Sequence, residues 1–557
     1  MRWDTFLGRV AAKGRAESLF GNAPPRQAAA PLGAIVAIAN GEESVLAAPN
    51  TGAAAVWELA GRHGLDPRYP NAVLEEVARW EGAPGIDDDA LDDRRSTPFV
   101  TIDGASARDL DQAVFVETLG AGWRIHYALA DAAFYAPPGS ALFTEALRRG
   151  ASYYLPDRVV PMLPPALSEG LVSLNPAVDR RAVIFELTLA ADGTLSGTTV
   201  IRARIRSRAK LSFAQVQGFY EGARDGFDAP IATSLDALRS VGLARMELAE
   251  ERDIVRYRRE EVRVGTGDPL GFVTREDVRL DVERYNEQVS LLCNVAGARL
   301  MRAGAGREGV EPIFRVHPAP GEARVAGFER FLEALAEAHD LDRTTWCWTR
   351  QRGSLAAFLD ELPNEGAEGR IASAVHRQAV MLNVRSTFQQ EPDPHHGVGA
   401  DVYARFTSPM REIVGVHLHH ELFELLVGVG TLDAARRTQV VQAANRAKQK
   451  QKAVENEANG LALDQVLGDA LRRERILAGT LMGLSRGKAY VRLDDPGIDV
   501  KAYLRHQQRF GGSVAIEADG TTLRRGGSTL ARVGDSIALR VDGLDGKRWV
   551  LELRPAP

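Results

Sequence analysis

The stretch TIDGASARDLDQAV, residues 101–114, places three carboxylates within nine residues, those of Asp103, Asp109 and Asp111. If the chain is extended from Asp109, the last two carboxylates project to one face. A turn through the intervening glycine would bring Asp103 beside them. Carboxylates at such short range repel one another and raise each other's pKa unless a cation lies between them. The stretch therefore predicts either an acid-rich surface turn or a site for a divalent cation.

The chemistry of the cluster narrows the choice of cation. Carboxylate oxygens suit Mg²⁺ or Mn²⁺, which complete their coordination with water and substrate phosphate. Such an ion activates water and neutralises developing charge. A helix–loop–helix calcium site is excluded, because the twelfth position counted from Asp103 is Val114 and not the required glutamate. Spacing alone leaves the surface turn and the catalytic metal site as open alternatives.

Composition sets the class of protein. The chain has 557 residues, enough for several domains, with 45% hydrophobic and 26% charged residues. Its two cysteines cannot supply a disulfide framework or a metal cage, and they are typical of a reducing compartment. No apolar run approaches the ~20 residues of a membrane span. We therefore expect a cytoplasmic protein without a membrane partner, and the net charge of −5 requires a local basic surface for any nucleic-acid binding.

Patterns along the chain predict four segments. Residues 1–86 suggest a small winged-helix-like α/β domain, with two strands around a turn at Asn40-Gly41 and two amphipathic helices. Residues 87–96 form an acidic linker, which we interpret as a solvated hinge. Residues 97–473 begin rich in strands, with hairpin turns expected at Gly120-Ala121-Gly122 and at Asp192-Gly193, then become helical and show no clear internal boundary. Within them we predict a short helix capped by Ser140 and stopped by Gly150, and a long polar helix around residues 437–463. Residues 474–557 return to short strands and glycine turns, typical of an oligonucleotide-binding (OB-fold) barrel.

The segment FVTIDGASARDLDQAVFVE resembles the signature of the ribonuclease II (RNB) family of processive 3′→5′ exoribonucleases. Blocks beginning GSALFTEALRRG and HHGVGADVYARF keep the family's order, and the similarity covers about residues 93–471. The resemblance implies an α+β multidomain fold, with an RNB catalytic domain of mixed sheet and helices before an S1-like OB-fold barrel. It also implies a monomer that hydrolyses single-stranded RNA to nucleoside 5′-monophosphates with water activated by Mg²⁺ (or Mn²⁺).

The resemblance also implies site residues. The family's first three metal-site aspartates fall on Asp103, Asp109 and Asp111, and its fourth acid is Gln112 here. We expect Gln112 to offer a neutral carbonyl oxygen to the metal, with one charge fewer than an acid. The family's catalytic arginine falls on Arg411, which would clamp the scissile phosphate and stabilise charge in the transition state.

The surroundings of Arg411 depart from the family. The sequence FTSPMRE predicts a helix with Ser408 as N-cap and Pro409 as its first residue, so that Arg411 lies in the first turn. A cation there opposes the helix dipole, so helix stability does not explain it. The basic, aromatic and acidic residues usual after the arginine are replaced by Glu412, Ile413 and Gly415.

Two further features predict contacts to RNA. In SYYLPD, the resemblance assigns stacking on the terminal base to Tyr154, and Tyr153 is the better core residue. The family's opposing aromatic falls near Pro320, where this chain has none. Alternate arginines in VIRARIRSRAK would share one strand face, either as a phosphate track or as the charged face of an edge strand. They are Arg202, Arg204, Arg206 and Arg208.

Five histidines could suggest a transition-metal site, but they lack a partner pattern, and we interpret them as polar packing. They are His395, His396, His417, His419 and His420. The leading hypothesis is therefore a divergent exoribonuclease. A catalytically weakened or inactive RNA-binding protein is the alternative, motivated by Gln112 and the altered surroundings of Arg411. A metal-binding structural protein without RNA ranks last.

Overall fold

The computed structural model describes residues 35–39, 42–47, 52–252, 254, 261–267, 271–277, 279–305, 309–428, 430 and 432–556. The strands are β1 (Ile35–Ala39), β2 (Glu42–Ala47), β3 (Asp92–Asp93), β4 (Val100–Asp103), β5 (Gln112–Leu119), β6 (Gly122–Ala130), β7 (Tyr153–Tyr154), β8 (Val159–Val160), β9 (Asp179–Leu189), β10 (Leu195–Arg206), β11 (Ala209–Ser212), β12 (Glu261–Gly267), β13 (Gly271–Asp277), β14 (Phe314–Val316), β15 (Thr387–Gln389), β16 (Ile476–Ser485), β17 (Lys488–Leu493), β18 (Asp499–Tyr503), β19 (Val514–Ile516), β20 (Thr522–Arg525), β21 (Ser528–Arg532), β22 (Ser536–Asp545) and β23 (Arg548–Pro555). The α-helices are α1 (Gly52–Arg62), α2 (Asn71–Gly82), α3 (Ala132–Tyr135), α4 (Ala141–Arg149), α5 (Phe213–Tyr220), α6 (Ala229–Glu251), α7 (Asp281–Gly304), α8 (Glu322–His339), α9 (Arg343–Trp346), α10 (Leu355–Glu361), α11 (Gly366–Val380), α12 (Ile413–Val427), α13 (Ala434–Arg472) and α14 (Leu504–Gln507).

A seven-stranded mixed sheet in the order β11-β4-β5-β6-β9-β10-β3 carries the site. The outer pairs β11–β4 and β10–β3 are parallel and the inner pairs are antiparallel. The predicted hairpin turns at Gly120 and Gly193 are present, and both glycines have the positive φ that such tight turns favour. Tyr127 and Phe185 are fully buried in the core that the sheet forms with α6, α7 and α12. The predicted mixed sheet with helices is confirmed.

Helix α4 has the boundaries that the sequence predicts. The hydroxyl of Ser140 accepts a hydrogen bond from the backbone N–H of Phe143 at 3.0 Å, as an N-cap does. Gly150 ends the helix with φ +75°, and a Cβ there would lie 2.8 Å from the carbonyl oxygen of Ala443. Only glycine fits both demands, so helix α4 stops against α13.

The acidic linker is not a free hinge. Asp92 and Asp93 form β3, which pairs in parallel with β10, and the backbone N–H of Arg94 donates to the carbonyl of Arg204 at 2.9 Å. The Arg95 side chain bridges Asp93 and Asp179. Asp92 and Asp93 are exposed, as a solvated linker predicts, but backbone pairing and ion pairs attach residues 92–95 to the sheet edge, so this part of the linker is not a hinge.

The long polar helix predicted around residues 437–463 is α13, whose 39 residues make it roughly 58 Å long. Side chains from its beginning, middle and end pack in three different hydrophobic cores. Val440 packs in the core of the central sheet, Val454 packs against α1, and Leu467 packs under the C-terminal strands. Helix α13 thus connects the central sheet, the N-terminal helices and the C-terminal segment.

The remaining segments differ from the prediction in detail. Helices α8 to α11 form a separate hydrophobic core, together with Met482 and Val533 from the C-terminal segment. Residues 97–473 therefore contribute to more than one hydrophobic core. The C-terminal strands form a five-stranded sheet, β18-β17-β16-β22-β23, and a three-stranded sheet, β19-β20-β21. Hydrogen bonding among the described strands does not close them into a barrel, so the OB-fold barrel stays a prediction.

The N-terminal segment is described in part. Strands β1 and β2 pair antiparallel as predicted, while the turn at Asn40-Gly41 lies outside the described residues. The two predicted amphipathic helices are α1 and α2, and the winged-helix-like arrangement stays a prediction. Across the described ranges, no helix is long and apolar enough to cross a membrane.

Candidate active site

Strand β4 ends at Asp103, at the edge of a large cavity. The backbone N–H of Gly104 donates to Asp103 Oδ1 at 2.7 Å, and the N–H of Ala107 donates to the carbonyl of Gly104 at 3.0 Å, closing the predicted turn. Burial raises the pKa of the Asp103 carboxyl, and the nearby charge of Asp109 raises it further. The two acids are therefore close enough to repel each other.

Lys210 holds the acidic loop, and sequence reasoning missed it. It lies on β11, whose parallel pairing with β4 sets Lys210 opposite Thr101. Its ammonium donates to the carbonyls of Ala105 and Ala107 at 3.0 and 2.5 Å. A cation that bridges two carbonyls fixes the loop between the first and second aspartates. Its only signal in the sequence is a charged residue in the short strand AKLS.

Ser173 holds the other end of the loop. Its hydroxyl donates to the carbonyl of Arg108 at 2.7 Å and accepts from the N–H of Leu110 at 3.0 Å. Leu110 is buried in the core of the central sheet. Asp109 lines the cavity beside Asp103. The loop thus turns one acid into the cavity while its neighbour anchors the backbone.

Asp111 is 1% exposed, and it pairs with Arg411 across the fold. Its Oδ1 accepts from the backbone N–H of Met410 at 3.0 Å, and its Oδ2 accepts from Nε of Arg411. Burial raises the pKa of Asp111 to about 6 against the opposing effect of the Arg411 charge. The predicted catalytic arginine and the third aspartate are therefore in direct contact.

Arg411 does not lie in a helix. Helix α12 begins at Ile413, and the preceding residues form a turn in which the N–H groups of Arg411 and Glu412 donate to the carbonyl of Ser408 at 3.1 and 3.0 Å. The prediction of a helix capped by Ser408 is wrong. Contacts to distant parts of the chain hold this segment outside the helix. The Asp111 carboxylate accepts from the backbone N–H of Met410, and Glu412 forms a backbone bridge with Ala151.

Gln112 lies at the start of β5 with both of its polar atoms bound by protein groups. Its Oε1 accepts from the hydroxyl of Tyr127 and from that of Ser290 at 3.4 Å. Its Nε2 donates to the carbonyl of Thr407 at 2.6 Å. Burial raises the pKa of Tyr127, so its hydroxyl stays protonated and donates. Gln112 joins the acidic strand to the arginine turn, and its role as a metal ligand stays a prediction.

Asn294 completes this connection and was also missed. It lies in α7, 1% exposed. Its Oδ1 accepts from the N–H groups of Phe406 and Thr407, and its Nδ2 donates to the hydroxyls of Tyr403 and Thr407. All four hydrogen bonds hold the chain just before Arg411. In the sequence, Asn294 looks like any polar residue of a helix.

The cavity has a volume of about 2190 Å³ and brings four of the predicted residues together. They are Asp103, Asp109, Tyr154 and Arg411. Tyr154 is 52% exposed, whereas Tyr153 is 3% exposed and packs in the core with α1. The C-terminal segment also contributes to the lining. There Arg548 lies over the ring of Tyr503, 5.0 Å from its centroid, beside Trp549 and Lys501.

Arg202, Arg204 and Arg206 share one face of β10 as predicted, whereas Arg208 lies beyond the end of the strand, and each of the four is already paired with an acid. Arg202 pairs with Asp131 and lies over the ring of Phe423, Arg204 pairs with Asp87, Arg206 with Asp179 and Arg208 with Asp228. They are absent from the lining of the main cavity. These pairs favour the charged-face alternative, and the role of the four arginines in RNA binding stays a prediction.

The histidines make polar packing contacts. The Nε2 atoms of His417, His419 and His420 lie 2.9, 3.0 and 3.1 Å from backbone carbonyls, and a ring nitrogen in that place donates. Burial lowers the pKa of all three rings, to about 3, 4 and 4 in that order. They are therefore neutral near pH 7, as polar packing requires.

A metal ion would have to fit these acids. Across the described ranges, no group of three or more histidine, cysteine, aspartate or glutamate side chains is positioned to hold one ion. Asp103 and Asp109 nevertheless fit a hard dication, since both face the cavity and their like charges repel. The third carboxylate, that of Asp111, is bound to Arg411.

Comparison with known proteins defines the class. The RNB domain model matches residues 91–428, so the chain belongs to the RNB family. Ribonuclease R of Escherichia coli (strain K12) is 32% identical over 391 residues, covering 68% of this chain and 46% of the relative. Exoribonuclease 2 of Enterobacter sp. (strain 638) is 31% identical over 455 residues, covering 79% and 66%. The chain thus spans less than half the length of the ribonuclease R relatives it matches.

Solved structures share the fold. Mycoplasma genitalium RNase R in complex with ribose-methylated single-stranded RNA aligns with a TM-score of 0.80 at 20% identity, covering 91% of this chain and 79% of that one. Yeast Ssd1, described as a pseudonuclease, aligns with a TM-score of 0.61 at 14% identity, covering 79% and 53%. The same fold therefore occurs in a ribonuclease and in a pseudonuclease, and the site residues must decide between them.

Proposed function

We propose that this protein is a 3′→5′ exoribonuclease that hydrolyses single-stranded RNA processively to nucleoside 5′-monophosphates. The observation that carries the proposal is the joint lining of one cavity by Asp103, Asp109, Tyr154 and Arg411. Acids for a dication, a cation for phosphate and an exposed ring for a base lie together there. The relatives named ribonuclease R and exoribonuclease 2 support the same activity.

The chain's own residues divide the work. Asp103 and Asp109 would hold a Mg²⁺ or Mn²⁺ ion, with Asp111 beside them, and a bound ion of this kind activates water for attack on phosphorus. Arg411 keeps its charge, because the neighbouring acids raise the pKa of its guanidinium against the effect of burial. It would bind the scissile phosphate and stabilise its developing charge. Tyr154 would stack on a base regardless of its identity.

The outer part of the cavity would guide the RNA. Tyr503, Trp549, Lys501 and Arg548 from the C-terminal segment combine rings with cations, the pairing that sequence-independent binding of single strands uses. An RNA strand would enter past these residues and present its 3′ end to Asp103. The net charge of −5 makes this local concentration of cations necessary.

The experiment incubates 5′-labelled single-stranded RNA with the protein and Mg²⁺, and follows the length of the labelled product. The expected result is loss of full-length RNA with accumulation of a short 5′-labelled end product and few intermediates, absent with chelator and absent in Asp103→Asn. A ladder of intermediates would contradict processivity. RNA that is retarded in a gel but stays intact would instead support the inactive RNA-binding alternative. A 3′-labelled RNA run in parallel should release labelled mononucleotide from the first turnover.

A further inference from the structure

Behind the arginine turn lies a cluster of cations that the proposed reaction does not use. It consists of Arg315, Arg405 and Lys448, which surround the carboxylate of Glu412. Nε of Arg405 lies 3.3 Å from Glu412 Oε1, and Nζ of Lys448 donates to the same oxygen at 2.8 Å. The backbone N–H of Arg315 donates to the carbonyl of Tyr403 at 2.8 Å, which places Arg315 next to the Arg405 segment.

The cluster is separate from the face that carries the aspartates. Glu412 follows Arg411 directly, and its backbone is extended, with φ −140° and ψ 129°. Side chains of consecutive residues in extended chain point to opposite sides. The Arg411 side chain reaches Asp111, so the Glu412 side chain and its cations lie on the other side of the turn. None of the four residues of the cluster lines the main cavity.

The cluster carries an excess of positive charge. Three cations share the single carboxylate of Glu412, which leaves a local charge of +2 at neutral pH. Burial lowers the pKa values of Lys448 and Arg315, and repulsion from Arg405 lowers both further. The same cations lower the pKa of Glu412 to about 2, against the effect of its burial. One carboxylate therefore does not neutralise its neighbours.

Two of the three cations are accessible to a ligand over about a third of their side chains. The side chains of Arg405 and Lys448 are 31% and 33% exposed, whereas that of Glu412 is 9% exposed. Arg315 uses Nε and Nη2 on the hydroxyl of Ser386, at 3.2 and 3.0 Å. Oε2 of Glu412 and Nε of Arg405 are both buried without a hydrogen-bond partner among the described residues, so each can still accept or donate a hydrogen bond.

We propose that Arg315, Arg405 and Lys448 form a binding site for a phosphate monoester dianion. A phosphate monoester carries a charge close to −2 at neutral pH, because its second pKa is about 6, and this charge matches the local excess. Guanidinium groups bind two phosphate oxygens at once in a fixed geometry. A backbone phosphodiester of RNA carries one charge and matches the site less well. The ligand is therefore free phosphate or the 5′-phosphate of a mononucleotide.

The mononucleotide source rests on the proposed function, since the reaction would release nucleoside 5′-monophosphates. The binding of a phosphate monoester does not rest on it. Calorimetric titration of the full chain in chelator, without RNA, separates the two ideas, because it requires neither metal nor turnover. The probes are inorganic phosphate, adenosine 5′-monophosphate and adenosine.

We expect inorganic phosphate and adenosine monophosphate to bind with one site and adenosine not to bind. Arg405→Gln and Lys448→Gln should each weaken phosphate binding at least about tenfold, since each removes a charge-assisted contact. Lys448→Arg should retain binding, and Arg224→Gln, which removes an exposed arginine paired with Asp236, should not change it. Melting curves without phosphate identify any variant that fails to fold.

Three results would overturn the proposal. The first is an absence of phosphate binding to the wild-type protein. The second is phosphate binding as tight as that of the wild type in both Arg405→Gln and Lys448→Gln when both variants fold. The third is loss of phosphate binding in Arg411→Gln but in neither of those two variants. Equal affinity for inorganic phosphate and adenosine monophosphate would show that free phosphate is a sufficient ligand. Tighter binding of adenosine monophosphate would identify the nucleoside monophosphate product as the ligand. Either result supports the proposed site. Phosphate binding without RNA degradation would refute the proposed function alone.

Discussion

Replacing Gln112 by aspartate tests whether this position serves the metal or the fold. The side chain joins three parts of the protein, because Oε1 accepts from Tyr127 and Ser290 while Nε2 donates to the carbonyl of Thr407 at 2.6 Å. Aspartate keeps acceptor oxygens but has no donor and is one methylene shorter. The Thr407 carbonyl would lose its partner and face a carboxylate instead.

The structure sets the size of the effect. Leaving a part-buried acceptor without its partner costs about 1–3 kcal/mol. Each kcal/mol lowers the melting temperature by roughly 2–4 °C in domains of about 150–250 residues, and by somewhat less in a larger one such as this. We therefore expect Gln112→Asp to melt several degrees below the wild type in chelator. Because both polar ends of Gln112 are held by protein groups, we also expect the Mg²⁺ concentration for half-maximal RNA degradation not to fall.

The assay combines melting curves in chelator with a Mg²⁺ titration of the initial rate of RNA shortening. Gln112→Glu keeps the chain length and loses only the donor, so it should lose similar stability. Gln390→Asp makes the same change at a side chain that bonds the exposed Thr438, and it should leave both measurements unchanged. A lower Mg²⁺ midpoint with an unchanged melting temperature in Gln112→Asp would refute this reasoning and would place Gln112 on the metal.

Three other substitutions test single contacts. Tyr154→Ala should weaken binding of a single-stranded oligonucleotide in chelator by roughly 5- to 150-fold, the worth of one stacked base, whereas Tyr154→Phe should bind normally; equal loss in both would exclude stacking. Lys210→Met frees the two loop carbonyls and should raise the Mg²⁺ concentration needed for half-maximal degradation, with Lys210→Arg closer to the wild type, and an unchanged midpoint in the folded methionine variant would contradict the assigned role. His419 has a folded pKa of about 4 against an ordinary 6.5, so the unfolded chain takes up its proton first and stability falls as the pH drops from 6.5 to 4, by roughly 3 kcal/mol at most. Denaturant titrations should show a smaller loss between pH 7.5 and 5 in His419→Gln, and an identical loss would mean that this ring does not contribute.

Much of the fold follows from local patterns. Helix α4 was predicted to start after Ser140 and to stop at Gly150, because a cap and a left-handed glycine act within a few residues of their partners. The hairpin of β9 and β10 turns at Gly193 for the same reason. Spacing alone also placed Arg202, Arg204 and Arg206 on one strand face, because side chains of a strand alternate, but it did not show that β10 ends before Arg208.

The wrong predictions share a cause, since tertiary contacts replaced local ones. The sequence FTSP has the composition of a helix start, yet Asp111 and Ala151 bind the backbone that follows it, and helix α12 begins only at Ile413. The acidic linker contains no local signal for a strand, yet Asp92 and Asp93 pair with β10 at the edge of the sheet. Lys210 and Asn294 escaped notice because each meets its partners about one hundred residues away along the chain.

The three aspartates lie near one another, as their spacing suggests, but their contacts differ. An extended chain would put Asp109 and Asp111 on one face with Leu110 on the other, but β5 begins only at Gln112, and the three residues before it follow a loop that Ser173 holds. Asp109 consequently lines the cavity, while Asp111 is buried against Arg411, 300 residues away in sequence. Acids that look equivalent in sequence thus differ in their contacts: Asp109 faces the cavity, and Asp111 holds the Arg411 side chain.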